Sequence, residues 1–392
     1  MSDALERFDS VALGERLRVA RMRAGLTQDD SAKIIDVSRT TVIAIEKGER
    51  RIRPIEFIAL IEGYGTTSNQ ILREGAIKVD LMPRFRALAE THRSKAENAA
   101  KLLNDLAAAE LELEQLLGRA RTRSYPPERP ILPGDVDQQA EDAALEFRHW
   151  LGRGLSPIKD LVSILESEIG IRIFLRPIEE RGISGLFIFD EKIGACMLLN
   201  SNHNEVRRRQ SAAHECGHFV STRYEPDVDS PSANTNSREE RFAKRFGFAL
   251  LMPAPAMRAV FSEFVREHGR FSPRHLVVLA ARYGVANEAL CRRLEDLALL
   301  KKGTWESIRA RGFTGDFARD LIEGTEIGAD KEDLRDLTPR LWLLSAEAYQ
   351  RDLVTEGQLS QMLQLSRLEV RRILDSIDGD SIDSLVELAA ED

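Results

Sequence analysis

The pentapeptide HECGH at 214–218, set inside the helical stretch RRRQSAAHECGHFV, constrains this chain more than any other feature. Imidazoles four residues apart lie one turn from each other on one helix face, about 5–6 Å between Cβ atoms, so His214 and His218 can both reach one tetrahedral Zn²⁺. Glu215 stands beside the first ligand. There its carboxylate can reach the fourth, open position as general base, taking a proton from a water whose pKa the metal lowers toward ~7. A third protein ligand is then needed. The run EERFAKRFGFALLMP offers Glu240, which shares a helix face with Ala243, Phe246 and Gly247. Glu239 competes with it from about 100° around the helix. Cys216 lies between the imidazoles, but side chains two apart on a helix do not face each other, so it is expected as a buried small residue. His203, Arg207, Arg209 and Tyr224 are weak candidates for stabilising an oxyanion, and a solvated role suits each arginine better.

Short apolar stretches at 171–175 (IRIFL), 185–189 (GLFIF) and 195–200 (ACMLLN) precede this motif and read as strands of one small sheet. Helical patterns at 138–151 and 157–169 lead into them, and from Glu205 onward the pattern is helical apart from a polar loop at Asp227 to Asn236. The stretch from Gly182 to Pro253, with GISGLFIF, LLNSN, RRRQSAAHECGH and ERFAKRFGFALLMP, resembles the ImmA/IrrE family of metallopeptidases. The resemblance implies a zincin-like, gluzincin-type centre with His214, His218 and Glu240 as zinc ligands, Glu215 as general base, and a peptide bond in a regulatory protein as substrate. Phe242, Phe248 and Gln210 depart from the family's usual residues at positions that affect packing more than chemistry.

Near the N-terminus, Leu13, Leu17, Ala20 and Ala24 follow helical spacing up to Gly25. Thr27 caps a second helix through Ile34 or Ile35, and Ser38 caps a third that runs to about Lys47 before Gly48. Pro54 to Leu72 adds one or two helices. The run LGERLRVARMRAGLTQDDSAKIIDVSRTTVIAIEKGERR resembles the Cro/repressor (XRE) helix-turn-helix family. Leu17, Leu26, Ala32, Ile35, Val37, Val42 and Ile45 can form its core, leaving Arg39, Thr40, Thr41 and Ala44 on the face that enters a major groove. Gln28 and Ser38 are placed for phosphates, Arg39 and Thr40 for base edges, and Lys47, Arg50 and Arg51 for the backbone. The whole chain carries a net charge of −8, unhelpful for gripping nucleic acid along its length. Between Val11 and Arg53, however, ten Lys or Arg face six Asp or Glu, a local excess of four.

The expected fold is mainly α, of the α+β class. It comprises a helix-turn-helix domain at 1–76, a helical connector at 77–123 able to form a homodimer, a Pro-rich linker at 124–135 (SYPPERPILPGD), a zinc metallopeptidase domain at 136–302, and a helical region at 303–392. Within the last, 353–377 again has helix-turn-helix spacing. Its few cations and acidic tail favour a helical element packed on the peptidase over a second DNA reader. Cys196, Cys216 and Cys291 are too few and too spread for a disulfide framework. No apolar run reaches the roughly 20 residues of a membrane span, and MSDALERFDS lacks the form of a secretory signal, so a cytoplasmic location is expected with no membrane partner.

Together these readings describe a regulator that binds a double-stranded DNA operator and uses a zinc metallo-endopeptidase to cleave a regulatory protein such as a repressor. No cofactor other than Zn²⁺ is expected. A single-stranded nucleic acid is a candidate activator. The alternative is a transcription factor whose peptidase-like domain acts as a sensor with little or no catalysis.

Overall fold

The computed structural model describes residues 9–66, 68–72, 81, 90–179, 182–224, 227–229, 237–314 and 337–378. It divides into two units. The first comprises 1–78, 108–118 and 345–392, the second 79–107 and 119–344.

In the first unit, α1 (Ser10–Arg23), α2 (Gln28–Ile34), α3 (Arg39–Glu46), α4 (Pro54–Tyr64) and α5 (Ser68–Leu72) form a small all-α domain. Each of the first three begins where a side chain satisfies the otherwise orphaned N–H groups: Asp9 on α1, Thr27 on α2 and Ser38 on α3. Their inner faces bury Leu17, Ala32, Ile35, Val42 and Ile45 as expected, joined by Phe57, Leu60 and Ile61 from α4; Leu26 and Val37 are only partly buried. A buried ion pair, Arg21 Nε to Glu46 Oε1 at 2.6 Å, ties α1 to the end of α3.

The connector is helical over α6 (Glu90–Leu117), 28 residues, and ends at Gly118 in the left-handed region. Residues 77–80 and 82–89 of the expected helix lie outside the described residues, as does the side chain of His92. Leu103, Leu106 and Leu113 are fully buried within the single chain.

In the second unit, 119–135 has no regular structure, as four prolines require. It is nonetheless a docked strap rather than a free linker. Ser124 N–H donates to Ile169 O at 2.9 Å and Arg129 N–H to Val220 O at 2.8 Å. Tyr125 packs edge-on against Phe219 at 5.2 Å and its hydroxyl accepts from Ala195 N–H at 3.0 Å. Helix α7 (Val136–Trp150) follows, then α8 (Leu161–Ile164), which widens into a π-helical turn at Leu165–Ile169 and stops at Gly170. Strands β1 (Arg172–Arg176), β2 (Gly185–Asp190), β3 (Gly194–Asn200) and β4 (Asp227–Asp229) form one sheet in the order β1-β3-β2-β4. β1 and β3 are parallel; β2 is antiparallel to both β3 and β4. β4 occupies part of the segment expected as a polar loop.

Helix α9 (Glu205–Ser221) packs on β2 and β3 and, on another side, against α10 (Arg238–Leu251), which in turn packs on α7. Helices α11 (Ala254–His268), α12 (Pro273–Tyr283), α13 (Asn287–Asp296) and α14 (Thr304–Ala310) follow. Arg148, on α7 and 1% exposed, donates to the carbonyls of Gly154, Ser156 and Leu250, so the end of α10 is bolted to α7 through a buried guanidinium. Burial pushes its pKa down to about 10.

The C-terminal helices are α15 (Pro339–Gln350), α16 (Glu356–Leu363) and α17 (Arg367–Asp378). From Ser345 onward they belong to the first unit, not to the peptidase-like unit on which they were expected to pack. Among the described residues no single helix is long and apolar enough to cross a membrane.

Glu56 gives a pH test of the N-terminal domain. Burial works to raise its carboxyl, but hydrogen bonds from Arg50 and Arg53 prevail and hold the pKa at about 2, below the usual 4.5. A carboxyl depressed in the folded state contributes stability that is present above its unfolded pKa and lost as pH falls through the folded value. The stability gap between wild type and Glu56→Gln is therefore expected to be full at pH 5 and to close between about pH 4.5 and 2, as read by urea unfolding.

Candidate metal centre and nucleic-acid face

The metal-binding candidates sit on two helices held at unusually close range. On α9, a Cβ added at Gly217 would lie 2.6 Å from Ala243 Cα; on α10, one at Gly247 would lie 3.1 Å from His214 N and 3.2 Å from Ala213 C. Only glycine permits this contact, because any side chain would have to displace helix backbone. Ser237 caps α10, its hydroxyl accepting from Glu240 N–H at 3.1 Å, and so fixes the first turn with its carboxylate.

The resulting geometry is compact. His214 Nε2 and His218 Nε2 are 3.2 Å apart, and each lies 3.4 Å from a different oxygen of Glu240. A tetrahedral zinc with bonds of about 2.0–2.1 Å has edges of about 3.3–3.4 Å, and the nitrogen–nitrogen and nearest nitrogen–oxygen separations here are close to that length, with one carboxylate oxygen facing each imidazole. Nitrogen and carboxylate oxygen also suit zinc chemically. Glu240, not Glu239, is the carboxylate brought to the imidazoles; these three residues are the only His, Cys, Asp or Glu group with ligand-like spacing among the described residues. Burial works to raise the Glu240 carboxyl, but a hydrogen bond from His218 and the charges of His214, His218 and Lys244 outweigh it and hold the pKa below the ordinary range.

Glu215 is fully buried on the sheet side of α9. A Cβ at Gly185 would come within 2.9 Å of its Oε1, so this glycine of β2 makes the room its carboxylate occupies. Cys216 is also fully buried, in the core, and burial raises its thiol well above the usual cysteine range, which removes it as a thiolate ligand. Thr222 Oγ1 lies 3.5 Å from His218 Nδ1, at the ring nitrogen turned away from the candidate site. Gly185, Thr222 and Ser237 were missed by motif reading. Ser237 alone left a local signal, since Ser three residues before Glu is the spacing of a capping box.

The weak oxyanion candidates are engaged elsewhere. Arg209 donates to Glu205 and to Gly284 O, Arg207 to Ser184 Oγ at 3.3 Å, and Tyr224, 53% exposed, packs edge-on against Phe189. Burial, with the Arg207 and Arg208 cations, lowers the pKa of the His203 imidazole.

On the helix-turn-helix domain, Ser38, Arg39, Thr40 and Lys47 are exposed, while Gln28, Thr41 and Arg50 are half-buried. Ser38 caps α3, accepting from Thr41 N–H at 3.3 Å and lying 2.7 Å from Thr40 Oγ1. Gln28 donates to Glu46 at 2.9 Å and accepts from Arg39 Nε at 3.4 Å, so it links Glu46 to Arg39 rather than standing free. Arg50, expected as a backbone-contacting cation, is instead forked onto Glu56 at 2.9 and 3.0 Å.

Helices α1–α3 thus form a helix-turn-helix domain, and the sheet-backed α9–α10 pair lies in a peptidase-like domain. Comparison with known families carries the same division. Residues 12–73 match the helix-turn-helix domain family, and residues 166–295 match the IrrE N-terminal-like domain, a peptidase family. No curated protein and no solved structure matches the chain. A helix-turn-helix domain joined to an IrrE-type domain is the arrangement of a transcription regulator with a peptidase-like domain.

Gly217→Ala tests the helix contact without reference to activity. Forcing a methyl against the Ala243 backbone is expected to cost about 1–3 kcal/mol in urea unfolding and to lower the zinc content of purified protein. Unchanged stability and zinc content would mean that the contact does not hold Glu240 in place.

Proposed function

We propose that this chain is a DNA-binding regulator whose IrrE-type domain is a zinc metallo-endopeptidase that hydrolyses a peptide bond in a regulatory protein such as a repressor. The observation that carries the reading is the clustering of His214, His218 and Glu240, whose two Nε2 atoms lie 3.2 Å apart and each 3.4 Å from one of the two Glu240 oxygens. Those three residues would hold the ion, leaving its fourth position open. When bound, the ion supplies Lewis acidity, which acidifies water and polarises a scissile carbonyl. Glu215, next in sequence to His214, would accept the water's proton and pass it to the leaving amine. Thr222 would steady the His218 ring. At the other end of the chain, Arg39 and Thr40 would read base edges of an operator, with Ser38, Thr41 and Lys47 toward its backbone.

A second reading, a sensor with little turnover, is favoured by one observation. Glu215 is 0% exposed, so its carboxylate is not open to solvent. The two readings part on Glu215→Gln. The peptidase reading expects one zinc per chain to be retained and fragments of a co-expressed repressor-like protein to disappear. Regulation that persists unchanged in that variant favours the sensor. Replacing His214 and His218 with Ala is expected to abolish zinc binding, measured by metal analysis of the purified chain. Arg39→Ala is expected to weaken specific DNA binding by about 1–3 kcal/mol. An equal loss on every sequence would instead make Arg39 a phosphate contact.

A further inference from the structure

The last three helices repeat the backbone logic of the first three. Thr27 Oγ1 accepts from Asp30 N–H at 3.2 Å while Asp30 accepts from Thr27 N–H at 2.9 Å; Thr355 and Gln358 do the same at 3.2 and 2.8 Å. The turn after α2 passes through Asp36 at φ 51°, that after α16 through Gln364 at φ 50°. Val37 N–H closes the first turn on Ala32 O at 2.9 Å, and Leu365 N–H closes the second on Ser360 O at 3.1 Å. Ser38 then caps α3 through Thr41 N–H at 3.3 Å, as Ser366 caps α17 through Glu369 N–H at 3.3 Å. Val42 and Val370, at matching positions, are each 1% exposed. The lead-in is similar but one residue out of register, with Leu26 N–H bonded to Arg21 O and Leu353 N–H, at the register of Gly25, bonded to Ala348 O.

The outward face differs in chemistry from the N-terminal one: it gains two arginines, while Glu369 and Asp375 stand at the registers of Thr41 and Lys47. Arg367 holds the register of Arg39, and Arg371 and Arg372 replace Ile43 and Ala44. Glu356, the acidic counterpart of Gln28, is bridged by Arg371 at 3.0 and 3.1 Å, which takes its charge off the face. Leu368, 60% exposed at the register of Thr40, presents an apolar tip of the kind that meets a thymine methyl. Arg367 and Arg372 are exposed and form no ion pair among the described residues.

We propose that α15–α17 are a second helix-turn-helix that docks on duplex DNA through Arg367 and Arg372. The chain then carries two readers and covers two major-groove segments.

The test uses the full chain and duplexes it selects from a random-sequence pool, with affinity measured by fluorescence anisotropy across salt concentrations. The variant R367A/R372A is expected to raise Kd about tenfold, to reduce the slope of log affinity against log salt by about 1–2, and to shorten the footprint, with melting temperature and zinc content unchanged. A Kd, slope and footprint equal to wild type overturn the inference whatever Arg39→Ala does, and would turn the face toward a protein partner. Loss in R367A/R372A with no loss in Arg39→Ala would sink the N-terminal reading and leave this one standing. A chain that selects no duplex overturns both.

Discussion

The peptidase-like domain depends on one contact, the approach of α9 to α10 through Gly217 against Ala243 and Gly247 against Ala213 and His214. At ordinary helix separations, a carboxylate on one helix reaches two imidazoles on the other only by bending its rotamer. Here the backbones close the gap, and Glu240 meets both rings from a capped first turn. The sheet supplies the other wall. Gly185 on β2 leaves space for Glu215, so the buried acid is also placed by the absence of a side chain. Five glycine and alanine positions thus set the placement of four ionisable groups, His214, His218, Glu240 and Glu215, through packing alone.

This arrangement is expensive to assemble empty. Two imidazole nitrogens 3.2 Å apart and a carboxylate kept ionised in a half-buried site leave electrostatic demands that a divalent cation meets directly. Arg148, bolting α10 to α7, serves the same end from behind by fixing the far end of the carboxylate-bearing helix. Rigidity at both ends of α10 is what a preformed metal site requires.

Much of this was legible from local pattern. The strands at 171–175, 185–189 and 195–200 announced themselves as apolar runs, and helical periodicity offered the HECGH pair and Glu240, though it left Glu239 in competition. The caps at Thr27 and Ser38 are short-range chemistry and were equally readable. What escaped depends on contacts far apart in sequence. Prolines at 124–135 exclude helix and strand but say nothing of whether Tyr125 finds Phe219 and Ala195 N–H. β4 is three residues long and exists because β2 offers an edge. Arg50 read as a surface cation because Glu56, its partner, lies on the next helix. The second helix-turn-helix was visible as spacing and discounted on charge. Its turn residue is Gln364, where a glycine would have advertised the left-handed backbone, and one of its acidic residues is neutralised by Arg371.

The central claim, that two imidazoles and one carboxylate share a single ion, is tested most directly by X-ray absorption at the zinc edge of the purified chain. The account predicts light scatterers only, two imidazole nitrogens and oxygen at about 2.0–2.1 Å. A sulfur shell at about 2.3 Å, or protein that is folded and binds no zinc, would contradict it.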